Sequence, residues 1–190
     1  MKNIFISLLF LLLTTPFFAQ QKWMVDNPHS NVRFEVGWEE FSIRTGEFKI
    51  FDGSIETESL EDLSNAKVNF VVDATSIDVI AERLANKLKS VDFLHVDEHP
   101  EIVFTANGMN KTGDNEYTAT GKLTVRGIEK DQEVSVIYKG TKETRKGKIF
   151  GIEVNLVVDR TDFGMDWARK KLGDQITLVG HLLYQEEVEN

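Results

Sequence analysis

The chain has 190 residues, 22 of them basic and 31 acidic, for a formal net charge of −9, and it contains no cysteine. That acidic balance excludes a nucleic-acid binder, whose phosphate partners demand a basic surface, and it argues against docking on anionic headgroups by charge. Without disulfides, a fold of this size must rest on its hydrophobic core.

The chain opens on a segment with the layout of a secretory signal peptide. Lys2 is the only charge before Lys22, an unbroken apolar run spans Leu8 to Leu13, and Pro16 precedes a candidate cleavage residue, Ala19. A membrane anchor would need about 20 apolar residues, and this run is shorter and interrupted by Pro16. Residues 1–20 are therefore read as the signal peptide, with cleavage near Ala19, and residues 22–190 as one domain. Export to the periplasm or outside the cell follows. A lipid-modified cysteine is excluded. No linker, internal repeat or low-complexity tract appears, and Pro occurs only at 16, 28 and 100.

After residue 22 the dominant period is two. Val32, Phe34 and Val36 alternate with Arg33 and Glu35. Val68, Phe70 and Val72 follow, then Ile102, Phe104 and Ala106. Tyr117, Ala119, Gly121, Leu123 and Val125 make a longer run. Val134, Val136 and Tyr138 come next, then Ile152, Val154, Leu156 and Val158. Ile176, Leu178, Gly180, Leu182 and Tyr184 close the series. Such alternation marks strands with one buried and one wet face. Turn signals separate them, among them Asp52-Gly53, Asn107-Gly108, Arg126-Gly127 and Gly173-Asp174. Many strands joined by short turns predict a sandwich or an up-and-down barrel. The stretches 115–125 and 149–159 would each span about 35 Å at roughly 3.3 Å per residue, which suits a tall barrel.

One segment breaks the pattern. Between Ile77 and Leu94, Ile80, Leu84 and Leu88 fall four apart, a helical stripe that could cap an open barrel end. A weaker helical stretch is predicted from Asp166 to Leu172.

A barrel of about eight strands is either filled by its own side chains or holds one small ligand. Small inward residues (Ala106, Ala119, Gly121, Gly180) leave room for a ligand, or relieve crowding where strands bend. Periodicity alone leaves both open. Trp23, Trp38 and Trp167 lie outside clean alternating runs, at a tunnel entrance or packed under loops.

Several segments resemble the YceI-like family in order and nearly end to end. They are His29 to Phe34, Gly46 to Ile55, Asp73 to Asp78, Arg83, Leu88 to Leu94, Pro100 to Phe104, Gly121 to Gly127, Asp159 to Met165 and Leu172 to Ile176. The resemblance implies a mainly β fold: a lipocalin-like antiparallel up-and-down β-barrel of about eight strands, with one amphipathic helix inserted near residues 77–94. It also implies a long internal tunnel for a polyisoprenoid or isoprenoid-quinone tail, or in some relatives a fatty acid or amide. The inward residues expected to line it are Phe34, Val36, Phe48, Val68, Phe70, Phe104, Ala119, Gly121, Leu123, Val136, Val154, Leu156 and Leu178, with Trp38 and Arg83 at the mouth. The chain departs from the family's pattern at Gly37-Trp38-Glu39-Glu40-Phe41 and at Leu84, both near that mouth.

No nucleophile motif, phosphate loop or cofactor signature is present, so no enzyme activity and no cofactor are expected. An enzyme acting on a lipid headgroup at the mouth, through Asp162 or His99, is the competing reading. Arg160, Asp162 and Asp174 either converge as a reactive cluster or pair to fix a loop. His95 and His99 are four apart, a spacing that presents two metal ligands on one helix face, but Pro100 follows at once and predicts a solvated loop without metal. The expected partner is a long-chain lipid, with no nucleic acid and no transmembrane segment in the mature chain; association into a homodimer is left open.

Overall fold

The computed structural model describes residues 20–187. The expected signal peptide lies, apart from Gln20, outside the described residues. Twelve strands form one antiparallel sheet: β1 (Gln21–Val25), β2 (Asn31–Trp38), β3 (Ser42–Phe48), β4 (Phe51–Thr57), β5 (Lys67–Asp73), β6 (Ile77–Asp78), β7 (Glu101–Asn107), β8 (Asn110–Lys111), β9 (Glu116–Val125), β10 (Ile128–Thr144), β11 (Gly147–Asp159) and β12 (Leu172–Glu186). A single α-helix, α1, spans Glu82–Lys89.

Eight strands close a ring. The order is β1-β4-β5-β7-β9-β10-β11-β12, and β12 returns to β1 through Val25↔Tyr184 and Trp23↔Glu186. Three neighbouring chain passes are kinked at about the same height. The turn after Asp26 breaks β1 from β2, Lys49-Ile50 breaks β3 from β4, and residues 74–76 break β5 from β6. Ser76 stitches two kinks together: its hydroxyl accepts from the Ile50 N–H at 3.0 Å, and its carbonyl accepts from the Lys49 N–H at 3.3 Å. Beyond the kinks β12 pairs with β2, β2 with β3 and β3 with β6, and β6 ends the path as an edge. The barrel is thus continuous at one end and split at the other, between β6 and β7. Segment 79–100, which includes α1, lies across that split.

Turn chemistry sets the strand register. Val125 pairs with Ile128, leaving Arg126 and Gly127 as a two-residue hairpin loop. Both have positive φ, 52° and 71°, the twist that a tight hairpin requires and glycine tolerates.

The helix is shorter than the sequence pattern suggests. Residues 77–78 pair with β3 as a strand, and Ile80 lies outside the helix and fully exposed. The stripe is only Leu84 and Leu88, with Glu82 in the first turn and Lys87 and Lys89 in the last, each complementing the helix dipole. Eight residues are too few for a stable isolated helix, so packing of that stripe holds it.

The helix predicted from Asp166 to Leu172 is not formed; the segment is a turn. The carbonyls of Met165, Trp167, Leu172 and Gly173 accept hydrogen bonds from the Arg160 guanidinium, and Ala168 has φ 55°. A side chain has taken carbonyl partners that a helix would use.

Candidate functional site

The two ends of the barrel are packed differently. At the continuous end Trp23, Phe150 and Tyr184 stack in contact: Trp23 meets Phe150 edge-on at 5.0 Å, and Phe150 lies nearly parallel to Tyr184 at 5.1 Å. Tyr138 approaches Phe150 at 6.1 Å, and Phe51 stacks on Phe70 at 5.8 Å. The loop between β4 and β5 seals this end with Leu63 and Ala66, whose carbonyls accept the Met109 and Gly108 amides. Large rings fill a barrel of this girth.

The split end holds a cavity of about 630 Å³. Its floor and walls come from Phe34, Val36, Phe48, Leu123, Val125, Leu156, Val158, Ile176 and Leu178; Leu84, Leu88, Phe93 and Leu94 cover it from the 79–100 segment. Trp38, Arg44, Arg83, Lys87 and Trp167 also border it. Arg44 sits over the Trp38 ring at 5.2 Å and the Lys87 ammonium over Trp167 at 4.5 Å, both cation–π arrangements. Among the described residues Arg44 and Arg83 form no ion pair, whereas Lys87 is tied to Asp92.

The structure sorts the expected tunnel residues into two groups. Phe34, Val36, Phe48, Leu123, Leu156 and Leu178 border the cavity, as do Trp38 and Arg83. Val68, Phe70, Phe104, Ala119, Gly121, Val136 and Val154 are not among its lining residues; Ala119 and Val136 are buried in the core, and Val68, Phe70, Phe104 and Val154 are partly buried. A Cβ on Gly121 would stand 2.2 Å from the Thr105 carbonyl oxygen and 2.8 Å from the Phe104 ring, and one on Gly180 would stand 2.6 Å from Val154. At these two glycines neighbouring atoms take the space a side chain would need. Of the tryptophans, Trp38 and Trp167 border the cavity and Trp23 is buried in the plug.

Arg160, Asp162 and Asp174 do not converge as a reactive cluster. Arg160 is fully buried. Its Nε donates to the Gly173 carbonyl at 2.8 Å, Nη1 to the carbonyls of Met165 and of Trp167 (3.0 Å), and Nη2 to the Leu172 carbonyl at 3.1 Å and Asp174 Oδ1 at 3.0 Å. Every guanidinium N–H is thereby used. Burial pulls the Arg160 pKa down, opposed by the Asp174 carboxylate. Asp162 is exposed. The cluster clamps the 160–174 loop, which carries Met165, Trp167 and Leu172, onto the cavity rim. Sequence reasoning offered Trp167 for the tunnel entrance but missed Arg44 and Lys87, because three distant segments supply this rim.

Sequence reasoning placed His95 and His99 in a loop after the helix, and they are there. That loop contains one helical turn, in which the His99 N–H donates to the His95 carbonyl at 2.9 Å, and the two imidazoles stand 5.7 Å apart.

The architecture is thus a closed antiparallel barrel, plugged at one end and hollow, apolar and basic-rimmed at the other. The comparisons agree with the closed antiparallel barrel. The YceI-like domain matches residues 23–182, and the chain belongs to this family. Protein YceI of Escherichia coli O157:H7 is 29% identical over 163 residues, spanning 85% of this chain and 84% of that protein. A UPF0312 protein of Pectobacterium atrosepticum is 31% identical over 112 residues, 59% of this chain and 57% of that protein. Among solved structures, Burkholderia cenocepacia BcnA superposes with a TM-score of 0.75 at 20% identity, covering 84% of this chain and 98% of BcnA. A polyisoprenoid binding domain from Saccharophagus degradans gives 0.65 at 13% identity, covering 87% and 98%. At these identities the structural matches speak to the fold.

Proposed function

We propose that this chain is an exported carrier that holds the tail of a long-chain apolar lipid, prenyl or acyl, in the split end of its barrel. The observation that carries the reading is the cavity of about 630 Å³ walled by aliphatic and aromatic side chains, a size typical of ligand sites. Burial of hydrocarbon contributes about 0.8 kcal/mol per CH₂, so ten buried carbons supply roughly 8 kcal/mol before the costs of ordering. Few polar contacts are then needed. The rim supplies cations, Arg44 and Arg83, for an anionic or carbonyl-bearing headgroup. The description of the Saccharophagus neighbour as a polyisoprenoid binding domain supports the same tail chemistry.

The plug adds a limit. If each carbon takes about the share of a water molecule, roughly 30 Å³, the cavity accepts on the order of twenty carbons. Longer prenyl tails leave their remainder outside. Binding is the role the geometry favours over turnover, because no acid–base or nucleophilic set converges on the cavity among the described residues. Export rests on the pattern of residues 1–20 and on the family.

Native mass spectrometry of the purified mature protein, with organic extraction of what is released, tests the proposal. A stoichiometric prenyl or acyl species is expected. A clean apo mass that persists after incubation with isoprenoid quinones and fatty acids overturns it. Affinity across saturated fatty acids should rise with chain length and level off near twenty carbons.

A further inference from the structure

We propose that His95, Glu98 and His99 form a binding site for a divalent transition-metal ion of the zinc class, separate from the lipid cavity and independent of the carrier reading. The donor atoms of the three side chains lie within 4.8 Å of one another. His95 Nε2 and Glu98 Oε1 are already 3.6 Å apart. A tetrahedral zinc ion holds nitrogen and oxygen ligands at about 2.0–2.1 Å, which puts ligand atoms about 3.4 Å from each other. Rotation of the exposed Glu98 side chain and small ring movements close the remaining difference. Three protein ligands leave a fourth position for water.

The backbone prepares the site. A single hydrogen-bonded turn brings residues 95, 98 and 99 together. In it the N–H groups of Glu98 and His99 both donate to the His95 carbonyl, at 3.1 and 2.9 Å. His95 holds a positive φ of 52°, its N–H tied to the Ser90 carbonyl at 3.0 Å. His99 is seated against Gly127, where an added Cβ would come within 2.9 Å of the imidazole. Both rings are half-buried and so lose little freedom on binding. Two imidazoles and one carboxylate suit zinc, nickel or copper; magnesium and calcium prefer more oxygen ligands. Phe93 and Leu94, which cover the cavity, immediately precede the turn, so a bound ion would tie down the end of that cover.

Isothermal titration of the tag-free protein with zinc chloride, at fixed pH in a buffer that does not chelate, is the test. One ion per chain with micromolar or tighter affinity is expected. His95→Asn, Glu98→Gln and His99→Asn should each weaken it by at least about tenfold. His181→Asn, on the distant β12, should leave it unchanged, and magnesium in large excess should not compete. Glu98 is exposed, so E98Q remains informative even if a histidine variant misfolds. Wild-type affinity no tighter than that of E98Q, equal loss in H181N, or competition by magnesium would each overturn the assignment.

Discussion

The two ends of this barrel are built from the same strands and the same alternation, yet one is solid and the other hollow. Along β11, Phe150 and Ile152 point into the filled end, and Leu156 and Val158 into the cavity. Along β12, Tyr184 and Leu182 fill, and Leu178 and Ile176 line. The contrast teaches that inward polarity pattern and inward volume are separate variables. Two things make the hollow: along β11 and β12 aliphatic side chains replace rings, and the kinks in β1–β2, β3–β4 and β5–β6 open the wall between β6 and β7. A two-ended barrel of this kind can be stabilised at one end while ligand exchange occurs at the other.

That contrast can be broken most severely at the clamp. Arg160→Met removes a buried cation and leaves the carbonyls of Met165, Trp167, Leu172 and Gly173 without their donor. A loss of roughly 3–5 kcal/mol is expected from denaturant unfolding. A loss below about 1 kcal/mol would mean that water replaces the guanidinium, and the rim is not clamped as described.

In the plug, Phe150→Ala should lower stability by about 3–5 kcal/mol through the cavity it creates. It should also lengthen the tail that can be accommodated, visible as a shift of the chain-length plateau beyond twenty carbons. Destabilisation with an unchanged plateau would separate the plug from the cavity entirely. Gly121→Val belongs with this variant: its side chain would meet Thr105 and Phe104, so it should destabilise by about 1–3 kcal/mol.

At the hollow end the expected effects reverse. Leu156→Trp should fill the cavity and reduce lipid retention at least tenfold while costing under about 1.5 kcal/mol, because the added ring enters open space instead of packed neighbours. Full retention of co-purified lipid in a well-folded L156W protein would remove the tail from this site. At the rim, Arg83→Gln should leave the melting temperature alone and weaken binding of an acidic lipid by a few-fold, with no effect on a neutral one of equal length.

The smallest effect is acid sensitivity. Hydrogen bonds from the Thr161 hydroxyl, at 2.7 Å, and from its N–H, at 2.9 Å, hold the Asp159 carboxyl below its ordinary 3.8. A carboxylate favoured by the fold stabilises above the unfolded value and loses that contribution as pH falls through the lowered folded one. Melting temperature should therefore fall below about pH 4, and Asp159→Asn should flatten part of that fall. An identical profile in D159N would assign acid sensitivity elsewhere.

The sequence by itself determined the strands, through period-two alternation and turn pairs such as Arg126-Gly127, while the choice of a barrel of about eight of them over a sandwich came from the family resemblance. Leu84 and Leu88 were legible as an apolar helical stripe, and the local blocks carried the family. The tertiary structure alone decided which inward residues meet open space. Gly121 and Phe34 look alike as inward positions in a strand. One is overrun by Phe104 across the sheet and the other faces the cavity, because volume complementarity depends on partners far away in the chain. The Arg160 clamp was equally hidden: its donors reach four carbonyls, and a backbone carbonyl carries no residue-specific signal in a sequence. For the same reason the 166–172 segment read as a helix and folded as a strapped turn.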